Sequence, residues 1–157
     1  MRKIGIIAVV SLMALALAAV PAFAANPHFV GAPTFTDNGS TITATGSVAG
    51  LGNQNVRVVL TATGTASVVC RNPAGNRAPG QDTSVSASGS QLITDVKNGR
   101  INFNVTTLAP SNPDPAVVCP NRKWTARITD VDFESATLQI FQPPNSTTPV
   151  LSRTFTF

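Results

Sequence analysis

Four cations lie next to two cysteines in this chain. Arg71 follows Cys70, with Arg77 one short loop later, and Arg122 and Lys123 sit just beyond Cys119. If the cysteines join, Arg71, Arg77, Arg122 and Lys123 gather around one covalent link, with Asp82 and Asp114 in the neighbouring loops. Such a cluster can hold an anionic partner, for example a phosphate-bearing cell-wall polymer or an acidic sugar. Solvated loop charges with no role are the plainer alternative, because exposed ions need no partner.

The segment carrying the first pair, VVCRNPAGNRAPGQD from Val68 to Asp82, does not fit the usual chemical loops. It lacks G-x-x-x-x-G-K-[ST], and no helix follows to offer an N-terminus to phosphate. Asp82 is its single carboxylate, whereas calcium takes several oxygen ligands. It contains no serine or histidine for nucleophilic chemistry. What it does contain is turn chemistry. Asn72 and Asn76 can hydrogen-bond nearby backbone amides, Gly75 and Gly80 can adopt positive φ, and Pro73 and Pro79 stiffen the path.

The remaining reactive residue types are sparse. Asp130, Asp132 and Glu134 form the one carboxylate cluster, and they would share a face if the segment were a strand. Paired carboxylates suit a glycosidase and three suit a cation, but this trio is expected to straddle a hairpin turn, where acids are simply solvated. His28 is the single histidine and lies near the expected mature N-terminus, a poor mount for a catalytic triad. Trp124 alternates with Ala126 and Ile128, which marks it as core rather than as a flat sugar platform. No catalytic residue, metal site or cofactor is expected. Asn38-Gly-Ser, Asn104-Val-Thr and Asn145-Ser-Thr are formal glycosylation sequons, matches short enough to arise by chance.

The elements that must position these residues read as strands. Period-two alternation runs through Thr41–Val48, Arg100–Thr106, Trp124–Ile128 and Ala136–Ile140, with one face apolar and the other polar. Phe29–Phe35 reads as one strand, joined to the next by Asp37-Asn38-Gly39. Lys97-Asn98-Gly99 reads as a hairpin turn between Ser84–Ile93 and Arg100–Thr106, since Asn-Gly between alternating runs is a strong hairpin signal. Thr63-Gly64-Thr65 is expected to break the Val56–Cys70 run, and Asp132-Phe133-Glu134 to fold Trp124–Val131 back on Ala136–Phe141. Eight or nine short strands predict an all-β, immunoglobulin-like antiparallel β-sandwich. Frequent prolines, few aromatics and short strands argue against an outer-membrane barrel.

The first residues carry a different signal. Arg2 and Lys3 precede an apolar run from Ile4 to Val20, followed by Pro21 and Ala22-Phe23-Ala24. This is the pattern of a secretory signal peptide over 1–24; a membrane anchor is the weaker alternative, because the run falls short of the roughly 20 residues needed to span and ends in a cleavage pattern. Removing 24 of 157 residues leaves 133, one domain at 25–157. The mature chain keeps nine basic against seven acidic residues, a net +2 that makes no case for nucleic acid. In an exported chain an even cysteine count reads as a disulfide, here Cys70–Cys119. The lack of CxxC spacing argues against a redox or metal pair.

CRNPAGN-x-x-PGQ at 70–81 and CPN-x-x-W at 119–124 resemble paired motifs in small exported bacterial proteins of unknown role. AGLGNQNV at 49–56 and ITDVDFESATLQ at 128–139 fit the same group, so the resemblance covers most of the mature chain. It implies the disulfide and the all-β fold and no catalytic or binding residue. Ala74-Gly75 stands where the group carries Gly-Gly.

These readings converge on a secreted, disulfide-tied, non-enzymatic protein, extracellular or periplasmic and not membrane-inserted after signal removal. It would act by binding or as a surface component, with a wall polymer or an extracellular protein as its partner. A wall-polymer or carbohydrate-binding adhesion module is the second reading, and a secreted hydrolase using Asp130, Asp132 or Glu134 the third. The exported protein is expected to begin at Ala25, which N-terminal sequencing or intact mass checks; retention of residues 1–24 would contradict it.

Overall fold

The computed structural model describes residues 26–157, so the signal-peptide reading of 1–24 lies outside the described residues. Its elements are β1 (His28–Phe29), β2 (Thr34–Asp37), β3 (Ile42–Ala49), β4 (Val56–Arg71), β5 (Arg77–Pro79), β6 (Thr83–Ile93), β7 (Ile101–Thr106), a one-turn helix α1 (Pro115–Val118), β8 (Thr125–Phe141) and β9 (Leu151–Thr156). They form two antiparallel sheets packed face to face, as the all-β reading requires.

In the smaller sheet, Thr43 pairs with Thr36 of β2 and with Thr106 of β7, while Val48 pairs with Phe29 of β1 and with Ile101 of β7. β1 and β2 therefore share one edge of β3, and β7 takes the other. They are separate strands, not the continuous Phe29–Phe35 strand expected. Gly31 at φ 76° turns the chain out between them, a conformation that non-glycine residues rarely adopt.

In the larger sheet, β4 is the hub. Thr61 pairs with Ser88 of β6 and Thr137 of β8, and Cys70 with Ala78 of β5 and Ala126 of β8. β5 and β6 thus line one side of β4 in succession, while β8 runs along the other. β9 pairs with the second half of β8.

The core lies between the sheets. Val56, Val58, Leu60 and Ala62 of β4 and Leu138 and Ile140 of β8 meet Ile42, Ala44 and Val48 of β3 and Ile101, Phe103 and Val105 of β7. Each such large aliphatic side chain stabilises the fold by about 1.5–3 kcal/mol on removal from water. Phe29, Phe35, Phe155 and Phe157 close the flank between β2 and β9 through edge and tilted ring contacts. The two buried polar side chains are partnered. Thr107 Oγ1 accepts from Ile42 N, and Gln142 clamps the β3–β4 loop by accepting from Gly52 N and donating to Gly52 O and Gln54 O.

Three expected turns come out differently. β4 runs unbroken through Thr63-Gly64-Thr65, and β8 through Asp132-Phe133-Glu134. The register between them slips twice, because Glu134 and Thr129 are extra residues on β8. Each is a β-bulge, and each inverts which residues face inward: Ala126, then Val131 and Phe133, then Ala136 and Leu138. The broken alternation thus marks bulges in one strand rather than a turn between two. Gly64 sits where a Cβ would strike the Asp132 carbonyl oxygen, so this glycine admits the bulged backbone instead of ending the strand.

The third case is Lys97-Asn98-Gly99. Asn98 and Gly99 both have positive φ and Lys97 bridges Arg100, so the tight turn is present. Yet β6 belongs to the larger sheet and β7 to the smaller. The turn redirects the chain across the sandwich instead of opening a hairpin, because each strand finds its ladder elsewhere.

Gly64→Ala is expected to cost about 1–3 kcal/mol, the usual range for forcing atoms into filled space. Urea denaturation checks this, and an unchanged midpoint would mean that the bulge does not need the close backbone approach.

Candidate functional site

The cysteine-bearing loop folds as a hairpin. Asn72 Oδ1 accepts from Asn76 N at 2.8 Å and Asn72 O from Gly75 N at 2.9 Å, with Gly75 at φ 89°. This is the asparagine turn expected at Asn72, while Asn76 takes part through its backbone N–H rather than its side chain. Ala74 is not among the positive-φ residues, so Gly75 alone in this turn requires the left-handed region. The turn returns the chain as β5, placing Pro79 opposite Val69, Ala78 opposite Cys70 and Arg77 opposite Arg71.

Cys70 and Cys119 are disulfide-bonded, with Cα atoms 5.7 Å apart. The second cysteine is delivered by α1. Asp114 Oδ1 caps it by accepting from Ala116 N at 2.9 Å, and Pro115 opens its first turn. The Asp-Pro pair was the available signal for this helix, which period analysis alone passed over. Around the bond, Val68, Val118 and Ala126 form a second small core, with Trp124 and Ile128 packed against it. Trp124 is therefore a packing residue, as its alternation implied.

Gly80 needs its lack of side chain for a different reason from the one expected. Its φ is not positive, but a Cβ there would lie 2.9 Å from Val68 Cγ1 and 3.1 Å from Cys70 Sγ. Close packing on the disulfide, not backbone freedom, sets the residue.

Even-numbered residues of β4 point into the sandwich and odd-numbered ones outward, so Arg71 is exposed on the outer face. Arg77 lies directly across from it on β5. Arg127 lies across from Val69 on β8, diagonal to Arg71. These three arginines, with Ser40, Thr125 and Thr129, line an open groove of about 590 Å³; Val69 and Ile128 also contribute to its wall. The one ion pair among the described residues is the exposed Lys97–Asp95 contact, so none of the three guanidinium groups has a carboxylate within 4.0 Å. Arg71 Nε donates to the Gly75 carbonyl at 3.3 Å, which leaves most of the guanidinium donors free.

Two of the four expected cations line the groove. Arg71 and Arg77 meet, but Arg122 and Lys123 sit on the separate Asn121–Trp124 turn and do not line the groove. Arg127 takes part instead. Its outward parity was visible in the sequence, but its proximity to Arg71 needs the β4–β8 register. Asp82 is exposed and Asp114 is committed to its cap, so neither neutralises the arginines.

The carboxylate trio stays on the exposed side of β8, where Glu134 Oε1 accepts from Thr65 Oγ1 at 3.0 Å. Among the described residues no group of His, Cys, Asp and Glu is arranged to hold a metal ion. His28 is exposed, with Nδ1 2.8 Å from the Asn26 carbonyl. No described helix is long and apolar enough to cross a membrane. No family model, curated protein or solved structure matches the chain.

The disulfide closes a loop between positions 49 apart, for which chain entropy predicts about 4 kcal/mol of stabilisation. A Cys70→Ala/Cys119→Ala variant is expected to lose stability on that scale in urea unfolding. Loss below about 1 kcal/mol would show that the small core holds this end without the bond.

Proposed function

We propose that this is an exported, immunoglobulin-like β-sandwich that acts by binding rather than catalysis, and that the Arg71–Arg77–Arg127 groove holds an anionic segment of a cell-wall polymer. The observation that carries the reading is three guanidinium groups on one face without a carboxylate partner. Like charges directly across a ladder destabilise a sheet, and the Arg71–Arg77 pair is such a case. A third arginine on the diagonal adds to that cost, and an anion shared among them offsets it.

The mounting supports the same reading. The three arginines project from adjacent strands behind which the disulfide and its small core lie, so the donors are held on rigid elements rather than on a frayed loop. The immunoglobulin-like comparison draws on chain path: β3 to β4, β6 to β7 and β7 to β8 each pass from one sheet to the other. Export draws on the leader pattern at 1–24 and on a disulfide, which oxidising compartments favour.

Sedimentation of the mature protein with isolated cell wall tests the proposal. Binding is expected to weaken with salt, with a log–log slope of about −2 if three phosphate-type contacts release counterions as on a single-stranded polyanion. Arg71→Ala/Arg77→Ala/Arg127→Ala should abolish retention while leaving the thermal unfolding midpoint at or above the wild-type value. Retention unchanged in that variant would rule the groove out.

A further inference from the structure

We infer that the groove selects a base-free phosphodiester chain of small polyols over a carboxylate polysaccharide; this rests on the reading of the groove as an anion site. The ligand chemistry follows from what lines the groove and from what is missing. Every cation in it is arginine, whose planar fork pairs with phosphate and carboxylate oxygens alike, as the point charge of lysine does not, so the choice between the two anions falls to the backbone of the ligand. Lys123, the nearby lysine, lies outside it. The arginines come from three adjacent strands, so they span two inter-strand spacings, about 10 Å. That extent suits successive charges along a chain better than a single ion.

The hydroxyl groups add a second requirement. Thr125 Oγ1 donates to the Arg71 carbonyl at 3.4 Å and Thr129 Oγ1 to the Ser67 carbonyl at 3.2 Å. Each hydroxyl has one proton, and with it so committed the side chain can offer a ligand only lone pairs. The groove therefore presents donors through its arginines and acceptors through its threonines. A complementary ligand carries anionic oxygens and free hydroxyls together, which a polyol phosphate does.

The absence of an aromatic side chain from the lining separates the remaining candidates. Nucleic acid strands are held by stacking bases on aromatic rings, and nothing here offers such a platform. Stiff pyranose rings likewise lack a flat apolar surface to lie on. A flexible polyol chain needs neither.

Calorimetric titration of the mature protein with poly(glycerol phosphate), polygalacturonate and oligothymidylate, matched in charge concentration, tests the inference. Poly(glycerol phosphate) is expected to bind at least about tenfold more tightly than either competitor, the factor given by one charge-assisted hydrogen bond. Arg71→Lys/Arg77→Lys/Arg127→Lys keeps the charge and loses the forks, and should weaken that binding by about tenfold or more. Equal or tighter binding of polygalacturonate or oligothymidylate would overturn the selectivity and leave the anion site standing. So would a lysine variant that binds as well as the wild type. Binding of all three polymers that survives alanine at the three positions, or no binding of any, would overturn the anion site itself.

Discussion

The structure depends on the pairing of β4 along both of its edges. β5, β6 and β8 all hydrogen-bond to it, and every second residue from Val56 to Cys70 points into the protein. A slip of one residue would turn Val56, Val58, Leu60 and Val68 outward and bring Arg57, Thr61 and Arg71 inward. The apolar face therefore sets the register, and the register sets which cations meet. The groove is a consequence of the same alternation that builds the core.

A strand of this length risks accumulating twist and exposing edges. The two bulges on β8 take up the mismatch with β4, and the edges they create are covered. Val131 N reaches the Gly39 carbonyl, Phe157 N the Glu134 carbonyl, and Ile128 N the Asn112 side chain. These bonds satisfy backbone groups along the half of β8 that β9 does not reach, and they limit pairing with other chains. The disulfide works at the same end. With Gly80 packed against Cys70, it seats β5 on β4 and joins α1 to the sheet.

Much of this was legible in the chain. Alternation located the strands, the even cysteine count located the covalent link, and the asparagines and Gly75 located the hairpin at 72–76. Where the reading of the turns at 63–65, 97–99 and 132–134 failed, it did so for one physical reason. Local signals such as Gly64, Asp132-Phe133-Glu134 and Asn98-Gly99 report how the backbone bends, but not whether the ladder continues past the bend. At Gly64 and Glu134 it continues, because a neighbouring strand supplies hydrogen bonds across the irregularity. At Asn98-Gly99 it does not, because the flanking strands have better partners in different sheets.

The class of fold, the outward or inward facing of most strand residues, and a cation-bearing, disulfide-tied end are all written in the chain. Those properties follow from period, residue type and count, which are local. The folded chain is needed to see that Arg127 lines the groove with Arg71 and Arg77, whereas Arg122 and Lys123 do not line it. That choice depends on which residue of β8 lies beside which residue of β4. The register, in turn, shifts at two bulges, at Glu134 and Thr129, and is fixed by pairing between strands far apart in the chain.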